Sequence, residues 1–383
     1  MKSSISLVKK RAANIVLSVS LALGISVAAP AVSAAEIDFG KVGEPINLVV
    51  GYQPYYTQAW SGVVMKGLKF YEKYLPKGST VEFQIGLQGS IIVNAMLAGK
   101  QHIGYMGDMP AIVATTKERV ADIRIVATAG LGFDQCNNML VRNSAPQFNN
   151  AGEAIKWMND KIVAVPKGAC TDRFALAVFE KEGVTPKSYL NQNIEVITSG
   201  FRANKLDAAA IWEPTASRLV EEGLARKIAS GASVDENDGG FIDMRGDLID
   251  QRPDVVKAWL NAELDAQLFM SDPANTMAVV KMAAEQTTGF DDKVLWHSLV
   301  GSTPVLQGGT PVRNEMAYAI TPKAEALITK ATKFLHSIKT IQVDTLRPGA
   351  IDKSFTEQIL KERGLKAPVG KIWAQPDSAF TGS

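Results

Sequence analysis

Two segments of this chain share one outline, and that doubling constrains the fold more than any other feature. "GKQHIGYMGDMP" occupies 99–110 and "NKLDAAAIWEP" occupies 204–214. Each has a turn residue, a lysine, a short mostly apolar run, and an acid near a proline. Lys100 and Lys205 are 105 residues apart, and so are Asp108 and Glu213. A short apolar run that ends in a turn before a helix is a buried strand opening into a loop. Written twice at that distance, it implies two α/β units with matching strand-to-helix corners.

The surrounding pattern agrees. "INLVVGYQ" (46–53) reads as a buried strand, and "WSGVVMKGLKFYEKYLP" (60–76) as a helix closed by proline. "STVEFQIGL" (79–87) alternates as a strand. Ser90 then stands as an N-cap before "IIVNAMLAGK", a helix stopped by Gly99. "QHIGYMGD" and "DIRIVATAG" (122–130) are two further strands. After the Pro- and Asn-rich patch at 142–150 the alternation restarts: helix, strand "KIVAVP" (161–166), loop "KGACTD", helix "RFALAVFEKEGV", strand "NIEVITSG", then "DAAAIWEP". "ASRLVEEGLA" follows as a helix, and the region from about 240 reads as mostly helical. Alternating strands and helices predict a parallel sheet with helices on both faces, once per unit.

The ends and the charge bound the rest. Lys2, Lys9, Lys10 and Arg11 precede an apolar run from about Ile15 to Ala29, and small residues follow it. This is the pattern of a secretory signal peptide over 1–35. The full chain has 41 Lys+Arg and 39 Asp+Glu; without the leader the balance is 37 to 39, with no basic stripe for nucleic acid. The expected division is 36–137 as the first part of lobe 1, 138–238 as lobe 2, and 239–383 completing lobe 1. The chain would cross between lobes near 130–140 and 235–245. Cys136 and Cys170 are the two cysteines. They are read either as one disulfide, worth roughly 3–4 kcal/mol by loop entropy, or as two buried thiols. His102, His297 and His336 are scattered, without metal-ligand spacing.

Ligands of open α/β sheets bind at the mouths of strand-to-helix loops. Two facing lobes place those mouths across one cleft. Helix starts at Ser90 and near Thr171 offer unpaired N–H groups to an oxyanion, and Arg173 in its first helical turn adds a cation. Tyr52, Tyr55, Tyr56 and Trp60 either pack inside a lobe or wall the cleft, with at least one, taken as Tyr55, facing a ligand. Asp108 and Glu213 either meet a ligand amine or accept loop N–H groups and fix their turns. The turn-fixing role is favoured, and Glu213 is the better candidate for an amine.

At these residues the chain resembles the periplasmic substrate-binding proteins of ABC importers for aliphatic sulfonates, taurine and nitrate, related to binders of thiamine-pyrimidine precursors. The matching pieces are "LVVGYQ", "AMLAGKQHIGYMGDMPAI", "IVAVPKGACTDRFALAVFEKEGV" and "KLDAAAIWEPTASRLVEEG", in order over roughly 46–230. The resemblance implies a type II periplasmic-binding-protein fold, two α/β lobes joined by a hinge around a ligand cleft. It implies a monomeric receptor for a small organic anion, without cofactor, that docks on a membrane permease served by a cytoplasmic ATPase. Nitrate or a pyrimidine is the alternative ligand, and a secreted enzyme the remote alternative function. Carried onto this chain, the ligand positions are Gln53, Gly89, Ser90, Gly107, Asp108, Thr171, Asp172 and Trp212, with Glu213 matching the acid after the tryptophan. Two departures weaken taurine or a simple alkanesulfonate as ligand. "ACTDR" replaces a run of hydroxyls, and His102 stands where an acid is usual. A sulfate ester or aromatic sulfonate stays open.

Overall fold

The computed structural model describes residues 37–382; the leader reading lies outside them. Among the described residues no helix is long and apolar enough to cross a membrane. Among the described residues twelve strands fall into two sheets. β1 (Asn47–Tyr52), β2 (Thr80–Ile85), β3 (Ile103–Gly107), β4 (Ile123–Gly132), β10 (Asp238–Arg245), β11 (Val312–Met316) and β12 (Gly370–Trp373) form the first, ordered β12-β11-β4-β10-β3-β1-β2. β5 (Asn138–Arg142), β6 (Ile162–Val165), β7 (Ser188–Asn191), β8 (Ala208–Ile211) and β9 (Ala225–Ser230) form the second, ordered β7-β6-β8-β5-β9. This is the two-lobe α/β architecture that the alternation predicts.

The sheets are mixed, not parallel throughout. β1 runs parallel to β2 and β3, and β6 parallel to β7 and β8. β10 enters antiparallel between β3 and β4, and β5 antiparallel between β8 and β9. These reversed strands carry the chain from one sheet to the other, so the topology demands them. "DGGFIDMR" escapes a sequence reading because its glycines and charges look like a loop, although every one of its residues is buried. β11 and β12 likewise interrupt a region read as helical.

The helices are α1 (Ser61–Leu68), α2 (Gly89–Leu97), α3 (Asp108–Thr115), α4 (Ala151–Trp157), α5 (Cys170–Glu182), α6 (Ile194–Arg202) and α7 (Thr215–Glu221). Beyond them lie α8 (Gly246–Gln251), α9 (Pro253–Ser271), α10 (Thr276–Gln286), α11 (Asp292–Val300), α12 (Pro322–Ser337) and α13 (Ser354–Arg363). α6 corrects the expectation of a strand in "NIEVITSG". The Asn193 side chain caps its first turn by accepting from Val196 N at 2.9 Å. Ile194, Ile197 and Phe201 then fall on one buried helical face while Val196 is exposed. The β-branched run suggested a strand, but the burial period is that of a helix. Ser90 also departs from expectation: Gln88 is the N-cap of α2, and Ser90 is exposed within the first turn.

Each sheet is packed on both faces. Trp60, Trp259, Tyr105 and Leu48 belong to one cluster, Met96, Ile112, Phe241 and Leu327 to a second, and Val163, Phe174 and Val178 to a third around the five-stranded sheet. The sheets are joined by 133–137 and 231–237. These segments bond to each other through Gly231 N, which donates to Phe133 O at 2.8 Å and Asn137 O at 3.1 Å. A Cβ on Gly231 would stand 1.9 Å from Glu236 O, so only glycine allows this approach. Asp238 secures the crossing by accepting from Cys136 N at 2.7 Å and Asn137 N at 3.0 Å.

Candidate functional site

Three strand-to-helix corners meet where the two sheets face one another. Gly89 opens α2, Gly107 caps α3, and Ala169 caps α5. The glycine turn at Gly168, with φ of 78°, aims the last of these. A cavity of about 40 Å³ lies between them, lined by Gln53, Tyr56, Gly89, Gly107, Ala169 and Trp212, with Pro110, Cys136 and Cys170 completing the wall. First-turn N–H groups of a helix have no intrahelical acceptor, and the macrodipole is positive there. The cavity is therefore suited to negative charge without a cation of its own.

Contacts from both sheets close the cleft. Trp212 Nε1 donates to Tyr55 O at 3.1 Å, and Thr57 N donates to Glu213 O at 3.3 Å. The strongest tie is ionic. Arg173, from the first turn of α5, reaches across to Asp108 Oδ2 at 3.0 Å. It also donates to Asn237 O at 2.7 Å and stands 3.6 Å from Glu236 Oε2, whose other oxygen meets Lys330. Arg173 is 2% exposed and Asp108 is fully buried, so each charge depends on the other. Burial pushes the Asp108 carboxyl above its ordinary value, and Arg173 and Met109 N pull it back. The difficulty of an acid beside an anion site is thus met by the arginine from the facing lobe. Arg173 therefore takes its partners from outside its own helix.

The other candidate residues divide by what they touch. Gln53 Oε1 and Thr171 Oγ1 are buried and make no hydrogen bond. Asp172 is committed to its own lobe, accepting from Gly168 N at 2.9 Å and Tyr189 Oη at 2.5 Å. Glu213 accepts from Ser217 N at 2.9 Å and has Arg313 3.8 Å away, on a wall other than that of the small cavity. Asp108 likewise accepts from the next backbone, Met109 N, at 2.7 Å. Tyr55 stands outside the cavity, in a recess of about 390 Å³ with Leu87, Ile194, Thr215, Arg218 and Phe290. The Arg218 guanidinium lies 4.6 Å from the Phe290 ring centre in that recess. Tyr52 and Trp60 are core residues, and Tyr56 is the aromatic on the cavity wall. His102 is also structural: its Nδ1 accepts from Val49 N at 3.2 Å, and burial lowers its pKa to about 4.

Cys136 and Cys170 are joined by a disulfide, with Cα atoms 6.2 Å apart. The bridge ties the crossing segment to the start of α5 and forms part of the cavity wall. Sequence reasoning left Tyr56 open between core and cleft wall and singled out Tyr55 instead, and it did not find Glu236 or Arg218. Glu236 sits in the acidic "DEND" of the second crossing, where composition suggests only a solvated turn. Among the described residues no group of three or more His, Cys, Asp and Glu is arranged to hold a metal ion.

The NMT1-like family profile matches residues 42–284. The taurine-binding periplasmic protein of Escherichia coli strain K12 is 24% identical over 253 residues, which are 63% of this chain and 74% of that protein. The alkanesulfonate-binding protein SsuA of Xanthomonas axonopodis pv. citri, solved bound to MOPS, superposes with a TM-score of 0.64 at 19% identity, covering 81% of this chain and 99% of its own. The desulfurization enzyme DSZB superposes with a TM-score of 0.59 at 14% identity, covering 83% and 99%. The last two likenesses concern the fold, and the fold hosts both a binder and an enzyme.

Proposed function

The chain belongs to the NMT1-like family, and from the chemistry of its cleft we propose that it is a periplasmic solute receptor of an importer, closing on the oxyanion head of a small organic anion. The meeting of three helix first turns on one cavity carries this reading. A bound sulfonate, sulfate ester or nitrate receives N–H groups from α2, α3 and α5, and the Asp108–Arg173 pair adds no net charge. Gln53 and Thr171 supply polar side chains without partners, and the Trp212 ring covers the site. At about 40 Å³ the cavity holds some three waters, which matches a head group and excludes a nucleotide. A longer tail lies toward the Tyr55–Arg218 recess. Asp172 and Glu213 fix their turns, and Ser90 contributes only its N–H. Lobe 2 spans 138–238, and the protein acts as a monomer that passes its ligand to a membrane permease with an ATPase. The two cavity cysteines are bridged, so neither offers a free thiolate to a ligand there.

A thermal-shift screen of the mature protein tests this. Sulfonates, taurine, sulfate esters and nitrate are compared with neutral and cationic pyrimidines. One oxyanion at about a thousand times its Kd stabilises the fold by roughly 4 kcal/mol, and Trp212→Ala weakens that binding far more than it lowers the unfolding midpoint. A shift by neutral or cationic compounds alone overturns the oxyanion reading.

A further inference from the structure

The recess of about 390 Å³ adjoins the head-group cavity and is of a size for a small organic group. Gln53, Gly89 and Trp212 line the cavity; Tyr55, Leu87 and Thr215, two or three residues away on the same corners, line the recess. The 3.1 Å bond from Trp212 Nε1 to Tyr55 O ties the two hollows where their walls meet. A ligand held by its oxyanion in the cavity can therefore lay its tail in the recess. Distant parts of the chain build it. Tyr55 and Leu87 follow β1 and β2, Ile194 and Arg218 belong to α6 and α7, and Phe290 lies between α10 and α11.

Three planar groups meet there. The Tyr55 and Phe290 ring centres are 5.9 Å apart with their planes at 53°, and the Arg218 guanidinium is 4.6 Å from the Phe290 ring centre. Tyr55 is held by the 288–290 segment, where Thr288 N donates to its Oη at 3.2 Å. Arg218 is held only loosely. Its Nη1 donates to Gly289 O and its Nη2 to Thr198 Oγ1, both at 3.4 Å, and its buried Nε has no acceptor. Glu222 Oε1 is 3.9 Å away and already accepts from Arg202 at 2.8 Å. A guanidinium bound this weakly keeps a flat, poorly hydrated cation for a π system. Exposed Glu195 also lines the recess, so one carboxylate matches one guanidinium, and the tail that suits them carries no charge. Leu87, 42% exposed at the rim, gains apolar cover when such a tail enters. Rings and a guanidinium plane fit a flat aromatic ring better than an alkyl chain.

Resting on the oxyanion reading of the cleft, we propose that the recess is its tail subsite and selects an uncharged aromatic ring, with Tyr55, Arg218 and Phe290 setting that specificity, so that the ligand is an aryl sulfonate. Calorimetric titration of the mature full chain compares benzenesulfonate and 2-naphthalenesulfonate with two controls. Cyclohexanesulfonate has a ring without π electrons, and methanesulfonate has a head without a tail. The tighter aryl sulfonate binds at least about tenfold better than methanesulfonate. It binds at least about threefold better than cyclohexanesulfonate, the worth of one cation–π contact. Arg218→Met keeps an apolar stem and brings the aryl-to-cyclohexyl affinity ratio to about one. Phe290→Leu narrows the same ratio and reads the aromatic wall even if Arg218→Met fails to fold. A merely structural loss lowers all affinities together and leaves the ratio. If methanesulfonate or cyclohexanesulfonate binds as tightly as the aryl sulfonates, or if neither variant narrows the ratio, the tail subsite is overturned while the oxyanion reading stands. Absence of binding by every sulfonate overturns the tail subsite too, and sulfate esters and nitrate in the thermal-shift screen then decide the oxyanion reading separately.

Discussion

Replacing Arg173 by Met tests whether the two lobes are held by one buried charge pair. The variant keeps most of the apolar stem and removes the guanidinium. Asp108 is then fully buried with no cation at 3.0 Å, Asn237 O loses its 2.7 Å donor, and Glu236 keeps only Lys330. Removing one partner of a buried pair costs about 3–5 kcal/mol. The cost depends on pH with a definite sign. Asp108 already titrates above its ordinary value of 3.8 through burial, and without Arg173 it rises further. Between the unfolded and folded values the native state binds more protons, so stability falls as pH rises. The penalty is therefore smaller near pH 4 than near pH 8. Asp108→Asn in the Arg173→Met background recovers roughly 2 kcal/mol at the higher pH, because the buried position no longer holds a charge. Urea unfolding of the four proteins of this cycle, at both pH values, measures each quantity. A loss under about 1 kcal/mol at pH 8, or one independent of pH, means that the pair behaves as an exposed ion pair and does not hold the cleft.

Two further outcomes follow from buried groups. Glu263 accepts from Tyr105 Oη at 2.9 Å and Gln267 Nε2 at 2.7 Å, and burial raises it from 4.5 to about 7. Its folded pKa is raised, so the wild type loses up to about 3 kcal/mol relative to Glu263→Gln as pH rises from 4.5 to 7; parallel stability curves of the two proteins over that window refute it. The Cys136–Cys170 bridge spans 34 residues, so the Cys136→Ser/Cys170→Ser protein is less stable by about 4 kcal/mol on the chain-entropy estimate. Two reactive thiols in denatured, unreduced wild type would show that the bridge is absent.

What was legible in the sequence was local. Alternating strands and helices place β1, β2, β3, β6 and β8, and with them most of the loops around the cleft cavity. The reversed strands were not legible. β10 is buried on both sides by elements distant in the chain, so "DGGFIDMR" needs no alternation of its own. α6 was misread because its β-branched residues outweighed a burial period that only the packed structure reveals. Lys227 gave no signal, because a lysine on an edge strand is ordinarily a solvated one. It is buried beside Asp134, whose carboxylate lies 3.5 Å from its ammonium and about 90 residues earlier in the chain.

The doubled segment shows where sequence reasoning stops. Asp108 and Glu213 occupy equivalent corners, each accepting an N–H near the start of its helix: Asp108 from Met109, Glu213 from Ser217. That shared role is local, and the shared spacing predicts it. Each carboxylate has a second oxygen, and its fate is not local. Asp108 spends it across the cleft on Arg173, joining the lobes, while Glu213 turns toward Arg313. Backbone geometry accounts for the difference: at the second corner Trp212 and the Glu213 carbonyl face the cleft, so the Glu213 side chain lies on the other side. Equivalent acids therefore take different partners, Asp108 an arginine of α5 and Glu213 an arginine of β11.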